Sequence, residues 1–242
     1  MLSARALAFN VIFYVNLVAF LVFGAGFYVT PRKWSIRALQ TWARASLWWL
    51  RLIAGIDFEV RGREHIPTGA ALVAGKHQSL FETFALLALV DDPAMVLKRE
   101  LTWIPVFGWF ALKFRMIVVD RGAGAPALRG LIRQARRAVT MGRQVIIFPE
   151  GTRRHPDAPP AYKPGAFALY LGLGVPCVPF ALNSGLYWPR RSFSRHPGTI
   201  VVEFLPPIAA GLDRKTFSVR LEDAIEKATR RLVAEGRGAT HR

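Results

Sequence analysis

A single cysteine among 242 residues, Cys177, excludes an intrachain disulfide and any zinc site built on cysteine pairs. Acidic side chains are scarce as well: 16 Asp plus Glu stand against 33 Lys plus Arg, a formal net charge of +17. A surface so short of negative charge attracts polyanions, and nucleic acid and anionic lipid both qualify. Charge of either sign is missing from Ala6 to Thr30, where only Asn10 and Asn16 interrupt an apolar run rich in Phe, Val and Leu. Internal repeats and low-complexity tracts are also lacking, and the length favours one domain, alone or with an appendage.

The uncharged run supplies the appendage, because it is long enough to cross a hydrocarbon core. It is long for the apolar part of a signal peptide, and no clear small-x-small cleavage site precedes Pro31, so it reads as a retained membrane segment. Arg5 on one side and Arg32-Lys33 on the other leave its orientation open, and hydropathy does not tell a span from a segment entering one leaflet. From Trp34 to Ile53 the chain interleaves Trp42, Trp48 and Trp49 with Arg44 and Arg51. That pattern suits a basic, aromatic interfacial helix, with a packed core helix bearing solvated arginines as the alternative. Beside a membrane anchor it favours anionic membrane lipid over nucleic acid as the partner. Residues 1-55 are therefore expected to form N-terminal membrane-anchoring helices, and 56-242 a separate catalytic domain facing the cytoplasm from the inner, or cytoplasmic, membrane.

Beyond residue 55 short β-rich runs alternate with helical stretches, which predicts an α/β fold: a mixed central β-sheet flanked by helices. Strands are expected at Phe58-Glu59-Val60, Ala71 to Gly75, Ala94 to Leu97, Met116 to Val119, Gln144 to Phe148, Val175 to Ala181 and Thr199 to Phe204. Pro126 to Met141 carries Leu128, Leu131, Ile132, Ala135 and Val139 at helical spacing, with Arg129, Arg133, Arg136 and Arg137 elsewhere. A last helix, about Thr216 to Ala234, pairs Asp223 with Lys227 and Glu226 with Arg230 at i, i+4, which implies an exposed, solvated face. The Pro-rich piece from Arg154 to Pro164 reads as a loop.

His77 closes the apolar run Ala71-Leu72-Val73-Ala74-Gly75-Lys76, and Glu82 follows five residues later. An imidazole titrates near neutrality, and a carboxylate on one ring nitrogen leaves the other free to take a proton. On one continuous helix an i, i+5 pair lies about 140° apart, so His77 belongs before the helix and Glu82 in its first turn, reaching back past Ser79. A structural histidine beside a surface glutamate is the bland alternative. A second group of polar residues ends the buried-strand run Val145-Ile146-Ile147-Phe148: Pro149-Glu150-Gly151-Thr152-Arg153. Gly151 admits close backbone approach, Thr152 offers a hydroxyl, Arg153 offers a fork of donors for a phosphate, and Glu150 is placed to hold that fork. Lys98-Arg99 and Asp120-Arg121 put further cations at strand ends. His77, Glu82 and His155 lack the spacing of a metal-ligand set, so no metal is expected.

Taken in order, Lys76-His77-Gln78-Ser79-Leu80-Phe81-Glu82, Ile104-Pro105 with Gly108 and then Val119-Asp120-Arg121, Phe148 to Arg153, and Val175-Pro176-Cys177-Val178-Pro179 resemble the four sequence blocks of the glycerolipid acyltransferases that carry a His-x4-Asp motif. The bacterial 1-acyl-glycerol-3-phosphate acyltransferases are the nearest of these. The resemblance covers about Glu64 to Asn183, with Glu82 standing where the family usually has Asp. It implies transfer of a fatty acyl group from a thioester of acyl carrier protein or coenzyme A to the sn-2 hydroxyl of lysophosphatidic acid, giving phosphatidic acid without a covalent acyl-enzyme. It further implies His77 as the base and Glu82 as its orienter. Lys98, Arg121, Glu150, Gly151, Thr152 and Arg153 would form the acceptor site, with no cofactor beyond the acyl donor. Another lysolipid, such as lyso-ornithine lipid, is the alternative acceptor, and a non-catalytic basic membrane-surface protein is the alternative of a different class.

Overall fold

In the computed structural model the described residues are 2–120, 122 and 124–240, without the side chains of 2, 3 and 240. In chain order the helices are α1 (Leu2–Phe23), α2 (Arg32–Trp49), α3 (Phe81–Leu89), α4 (Phe107–Lys113), α5 (Gly124–Val139), α6 (Pro164–Leu173), α7 (Ser184–Tyr187) and α8 (Arg214–Thr240). The strands are β1 (Ile56–Arg61), β2 (Ala71–Gly75), β3 (Pro93–Lys98), β4 (Ile117–Val119), β5 (Gln144–Ile147), β6 (Cys177–Leu182) and β7 (Gly198–Phe204). They form one seven-stranded sheet in the order β1-β7-β6-β2-β5-β3-β4, parallel at every pairing but the antiparallel β6–β7.

Helices cover both faces of this sheet, which is why its central strands are unbroken apolar runs rather than alternating ones. Every residue of β2, β5 and β6 is buried. The period of two then sorts their side chains: Val73, Ile146 and Val178 join one apolar cluster, whereas Leu72, Ala74, Val145 and Ile147 join the other. The first cluster is closed by α1, α2, α3 and α4 through Phe9, Phe13, Leu39, Leu47, Phe84 and Phe110. The second is closed by α5, α6 and α8 through Leu131, Ala135, Leu169, Phe217 and Ile225. Strand β2 ends on a glycine because β6 comes too close for anything larger: a Cβ on Gly75 would lie 2.4 Å from the Phe180 carbonyl oxygen.

The first cluster runs without a break across residue 55. Helix α2 buries Ser35, Ile36, Leu39, Ala43, Ser46 and Leu47 at helical spacing and turns Arg37, Arg44, Trp34 and Trp48 outward. The inner face packs as a core helix would, with Trp42 on it, stacked on Phe20 at 5.6 Å, and the basic, aromatic outer face is exposed. Helix α1 with the turn behind it, Ala4–Tyr28, is long and apolar enough to cross a membrane. Its Leu7, Val11, Tyr14, Val15, Val18 and Val22 form an exposed stripe opposite Phe9 and Phe13. Asn10, polar and buried, is satisfied by the loop before β7: its side-chain oxygen accepts from Arg195 Nη2 at 2.6 Å and its amide donates to the Phe193 carbonyl at 3.2 Å.

At the amino ends of β3 and β5, Arg143 is 1% exposed and donates to the carbonyls of Arg115, Pro93 and Phe114 and to Asp92 Oδ1 at 3.0 Å. Asp92 also receives Arg32 of α2, with 2.8 Å from Nη1 to Oδ2. Burial would push the Asp92 carboxyl up, but the two guanidinium groups hold it below the usual carboxylate range. Arg143 is drawn below its ordinary value, chiefly by burial and then by Arg32.

Candidate active site

Parallel register brings four strand ends to one level. Ala74 pairs with Ile147, Met95 with Ile146 and Val96 with Ile117, so three residues beyond that level come His77, Glu150, Arg99 and Asp120. This is the carboxyl edge, where open α/β sheets hold their ligands. Strands β2 and β5 are neighbours there, and the backbone ties their extensions together, the Arg154 N–H donating to the His77 carbonyl at 2.8 Å. At ~4.8 Å per strand, β3 and β4 stand roughly 10 and 14 Å from β2.

His77 follows β2, and Glu82 occupies the first turn of α3. The expected reach is realised: His77 Nδ1 lies 2.8 Å from Glu82 Oε1. That same oxygen accepts the backbone N–H groups of Gln78 at 2.6 Å and Ser79 at 2.8 Å, while Oε2 accepts the hydroxyls of Ser79 at 3.0 Å and Ser184 at 2.9 Å. Full burial alone would raise the Glu82 carboxyl. The imidazole's hydrogen bond and charge, with the Ser79 amide, outweigh it and hold the group ionised, below its ordinary value. A carboxylate can only accept, so Nδ1 carries the proton it donates, and in the neutral ring the lone pair sits on Nε2. Phe148, the first residue past β5, stacks on the imidazole at 4.0 Å between ring centroids and 15° between planes. The His77 side chain keeps 15% of its surface exposed, so a ligand can reach it.

Neither the Ser79 hydroxyl nor the Cys177 thiol is free to act as a nucleophile. The Ser79 hydroxyl donates to Glu82 and accepts the Phe81 N–H at 2.9 Å, which occupies it at the start of α3. Cys177 is wholly buried in β6, and burial pushes its thiol up, away from the reactive thiolate.

Two expectations about charge are corrected. Glu150 does not hold the Arg153 fork: its Oε1 lies 3.3 Å from Lys76 Nζ and 3.5 Å from Arg154 Nε. Strand parity explains this. Lys76 precedes His77 and therefore points to the other face, where its ammonium has no exposure at all and draws in buried carboxylates. Nor does Glu226 lie on a solvated face pairing with Arg230. It accepts from Lys76 Nζ at 2.5 Å and from the Tyr162 hydroxyl at 3.0 Å. Burial, followed by the Glu226 charge, raises the Tyr162 phenol, and burial raises the Glu150 carboxyl against the opposing pull of Lys76.

The remaining residues of the turn are partly or fully exposed. Gly151 has φ +68°, the left-handed region where glycine is favoured. Thr152 is exposed, and the half-buried Arg153 has no ion-pair partner among the described residues, its carbonyl accepting from Arg190 at 2.6 Å. Lys98 lies two strands away and already pairs with Glu100 at 2.7 Å, as Arg99 does with Asp120 at 2.8 Å. Arg121 lies outside the described residues. Among the described residues no cluster of three or more His, Cys, Asp or Glu side chains is placed to hold a metal ion. Sequence reasoning missed Ser184, Gln78, whose side-chain oxygen accepts the Gly185 N–H at 2.9 Å, and the Lys76–Glu226–Tyr162 group. Contacts 102 and 150 residues apart leave no local periodicity to find.

Residues 57–183 match the family model described as Acyltransferase. The chain is 40% identical over 172 residues to the 1-acyl-sn-glycerol-3-phosphate acyltransferase of Pseudomonas aeruginosa, covering 71% of this chain and 67% of that protein. It is 31% identical over 163 residues to the mouse 1-acyl-sn-glycerol-3-phosphate acyltransferase alpha, covering 66% of this chain but only 57% of the mouse protein. In fold it is similar to the crystal structure of the 1-acyl-sn-glycerophosphate acyltransferase from Thermotoga maritima, with a TM-score of 0.79, 24% identity, and 96% and 98% of the two chains covered.

Proposed function

We propose, from the premise that the chain belongs to the acyltransferase family, that it esterifies the sn-2 hydroxyl of lysophosphatidic acid and releases phosphatidic acid for phospholipid synthesis. The observation that carries this reading is the 2.8 Å bond from His77 Nδ1 to a buried, ionised Glu82, at the sheet edge that also presents Arg153. His77 Nε2 takes the hydroxyl proton as the acceptor oxygen attacks the thioester carbonyl. The C–S bond then breaks and the imidazolium returns the proton to the departing thiolate, so that ester and thiol are the only products. Glu82 fixes the tautomer and stabilises the imidazolium. Acyl carrier protein or coenzyme A carries the acyl group, and the steps assigned to these side chains call for no further cofactor.

Arg153 is the best-placed described cation for the acceptor phosphate, since its guanidinium is uncommitted, and Thr152 and Gly151 line the same turn. Lys98, at the end of β3 farther along the edge, adds to the cationic side. Glu150 acts from beneath by pinning Lys76 next to His77. The exposed apolar stripe on α1 and the basic outer face of α2 support membrane association through residues 1-55, with anionic lipid rather than nucleic acid as the polyanion; the cytoplasmic side of the inner membrane is the location this reading assigns.

Membranes bearing the protein, given an acyl thioester with labelled lysophosphatidic acid or with lyso-ornithine lipid, test the reading directly. Phosphatidic acid from the first is the expected result. Product from the second alone moves the acceptor assignment, and no product from either removes the catalytic one. His77→Ala should abolish turnover in a folded protein, and Arg153→Ala should raise the KM for lysophosphatidic acid with a smaller effect on kcat.

A further inference from the structure

Leaving the carboxyl edge at Lys98, the chain makes a 3-10 turn over Arg99–Trp103 and then forms α4. Helix α4 buries Phe110 and Ala111 in the apolar cluster it shares with α1 to α3. Its other side, with the turn before it, turns four large apolar groups outward: Trp103 is 66% exposed, Ile104 48%, Trp109 58% and Leu112 58%. Trp109 and Leu112 stand at i, i+3 and so share a helix face. Apolar groups gathered in this way on an exposed surface mark an interaction site.

The backbone that presents them is fixed. A Cβ on Gly108 would lie 2.0 Å from the Thr102 carbonyl oxygen, the Gly108 N–H donates to the Ile104 carbonyl at 2.8 Å, and Val106 is held at φ +63°. The patch also continues the apolar surface of the N-terminal segment. Phe110 lies 5.8 Å from Phe20 between ring centroids, and Lys113 Nζ donates to the Thr30 carbonyl at 2.7 Å while lying 5.7 Å over the Tyr28 ring. Tyr28, itself exposed, therefore adjoins it. Lys113 and Arg115 flank it as cations after the helix, while Lys98 and Arg99 on the strand side are paired with Glu100 and Asp120. Aromatic and aliphatic groups bordered by cations fit an anionic lipid interface better than they fit a protein partner.

We propose that the β3–β4 connection, through Trp103, Ile104, Trp109 and Leu112, is a second membrane-entering element that seats the carboxyl edge of the sheet on an anionic leaflet beside the end of α1. Its use in delivering a lysolipid sideways to His77 rests on the function proposed above; the membrane contact itself does not.

The test places a spin label at W109C or L112C in the full chain, with vesicles of phosphatidylcholine and phosphatidylglycerol. Cys177 is wholly buried and takes no label in the folded protein. A label at R133C, exposed on α5 against the opposite face of the sheet, serves as the aqueous control. On adding vesicles, the labels at 109 and 112 should gain collisions with dioxygen and lose them with a water-soluble nickel chelate, while the label at 133 stays in water. A W103D/W109D double variant with unchanged thermal unfolding should lose at least about tenfold in vesicle partitioning. Labels at 109 and 112 that stay as open to the chelate as the label at 133 would overturn the proposal, as would spin–spin broadening between copies without dioxygen access, which would make the patch a self-association face. Loss of turnover with the labels still in the bilayer would count against the catalytic reading alone.

Discussion

Glu82→Gln removes one charge and changes almost no volume, so it isolates what the carboxylate does for His77. At 2.8 Å and an effective dielectric of about 20, the pairing of an imidazolium with the Glu82 carboxylate is worth at most about 6 kcal/mol, or roughly four powers of ten in rate. The glutamine oxygen can still accept from Nδ1 and from the Gln78 and Ser79 amides, which retains part of the orientation. Its NH2 group faces the Ser79 and Ser184 hydroxyls that now donate to Oε2, so those two must rotate to accept. The expected fall in kcat is therefore about 10²- to 10⁴-fold, with KM for either substrate little changed. Steady-state acyl transfer on purified, vesicle-bound protein measures it, with thermal unfolding to confirm the fold. Glu82→Asp keeps the charge but shortens the arm by one methylene, and it should lose only about tenfold. A glutamine variant within about threefold of the parent would refute the assigned role, and so would an aspartate variant as poor as the glutamine one.

Removing the buried ammonium by Lys76→Met should destabilise the protein by about 3–5 kcal/mol, because Glu226 is then left with uncompensated charge and Glu150 with Arg154 alone; denaturant midpoints measure it. Arg143→Leu, which takes the buried donor from the Pro93 and Arg115 carbonyls and leaves Asp92 with Arg32 alone, should lower stability by about 1–3 kcal/mol while leaving KM unchanged in whatever remains folded. Glu82 has its native value depressed, so its contribution to stability is fully present above the unfolded carboxyl value of about 4.3 and is lost as pH falls through the lower native value. The stability gap between the parent and Glu82→Gln should therefore be constant near neutrality and close below about pH 4. A gap that widened on acidification would contradict the direction of the shift.

Local pattern carried far in this chain. All seven strands lie where apolar runs and their bounding turn residues placed them, because a sheet covered on both faces demands unbroken apolar strands and β2, β5 and β6 supply them. His77 and Glu82 were legible as a pair, since five residues spanning a strand end and a first helical turn bring the two side chains together. Glu226 was misread for an equally physical reason. Its i, i+4 relation to Arg230 is a true feature of the helix, but a buried lysine 150 residues away offers a carboxylate far more than a solvated arginine does. Glu150 failed likewise, because proximity in sequence to Arg153 says nothing about which face each side chain takes.

The sequence by itself determined the α/β layering, the apolar N-terminal segment, the His77–Glu82 pair and the turn from Glu150 to Arg153, because each depends on residues within one or two turns of one another. Only the tertiary structure decided which strands are neighbours, and with that which strand ends share an edge, why Ser184 completes the shell around Glu82, and where the charge of Lys76 goes. Those depend on how the sheet is wound and on the cost of burying an unpaired polar group, and both are settled by contacts between residues the chain itself keeps far apart.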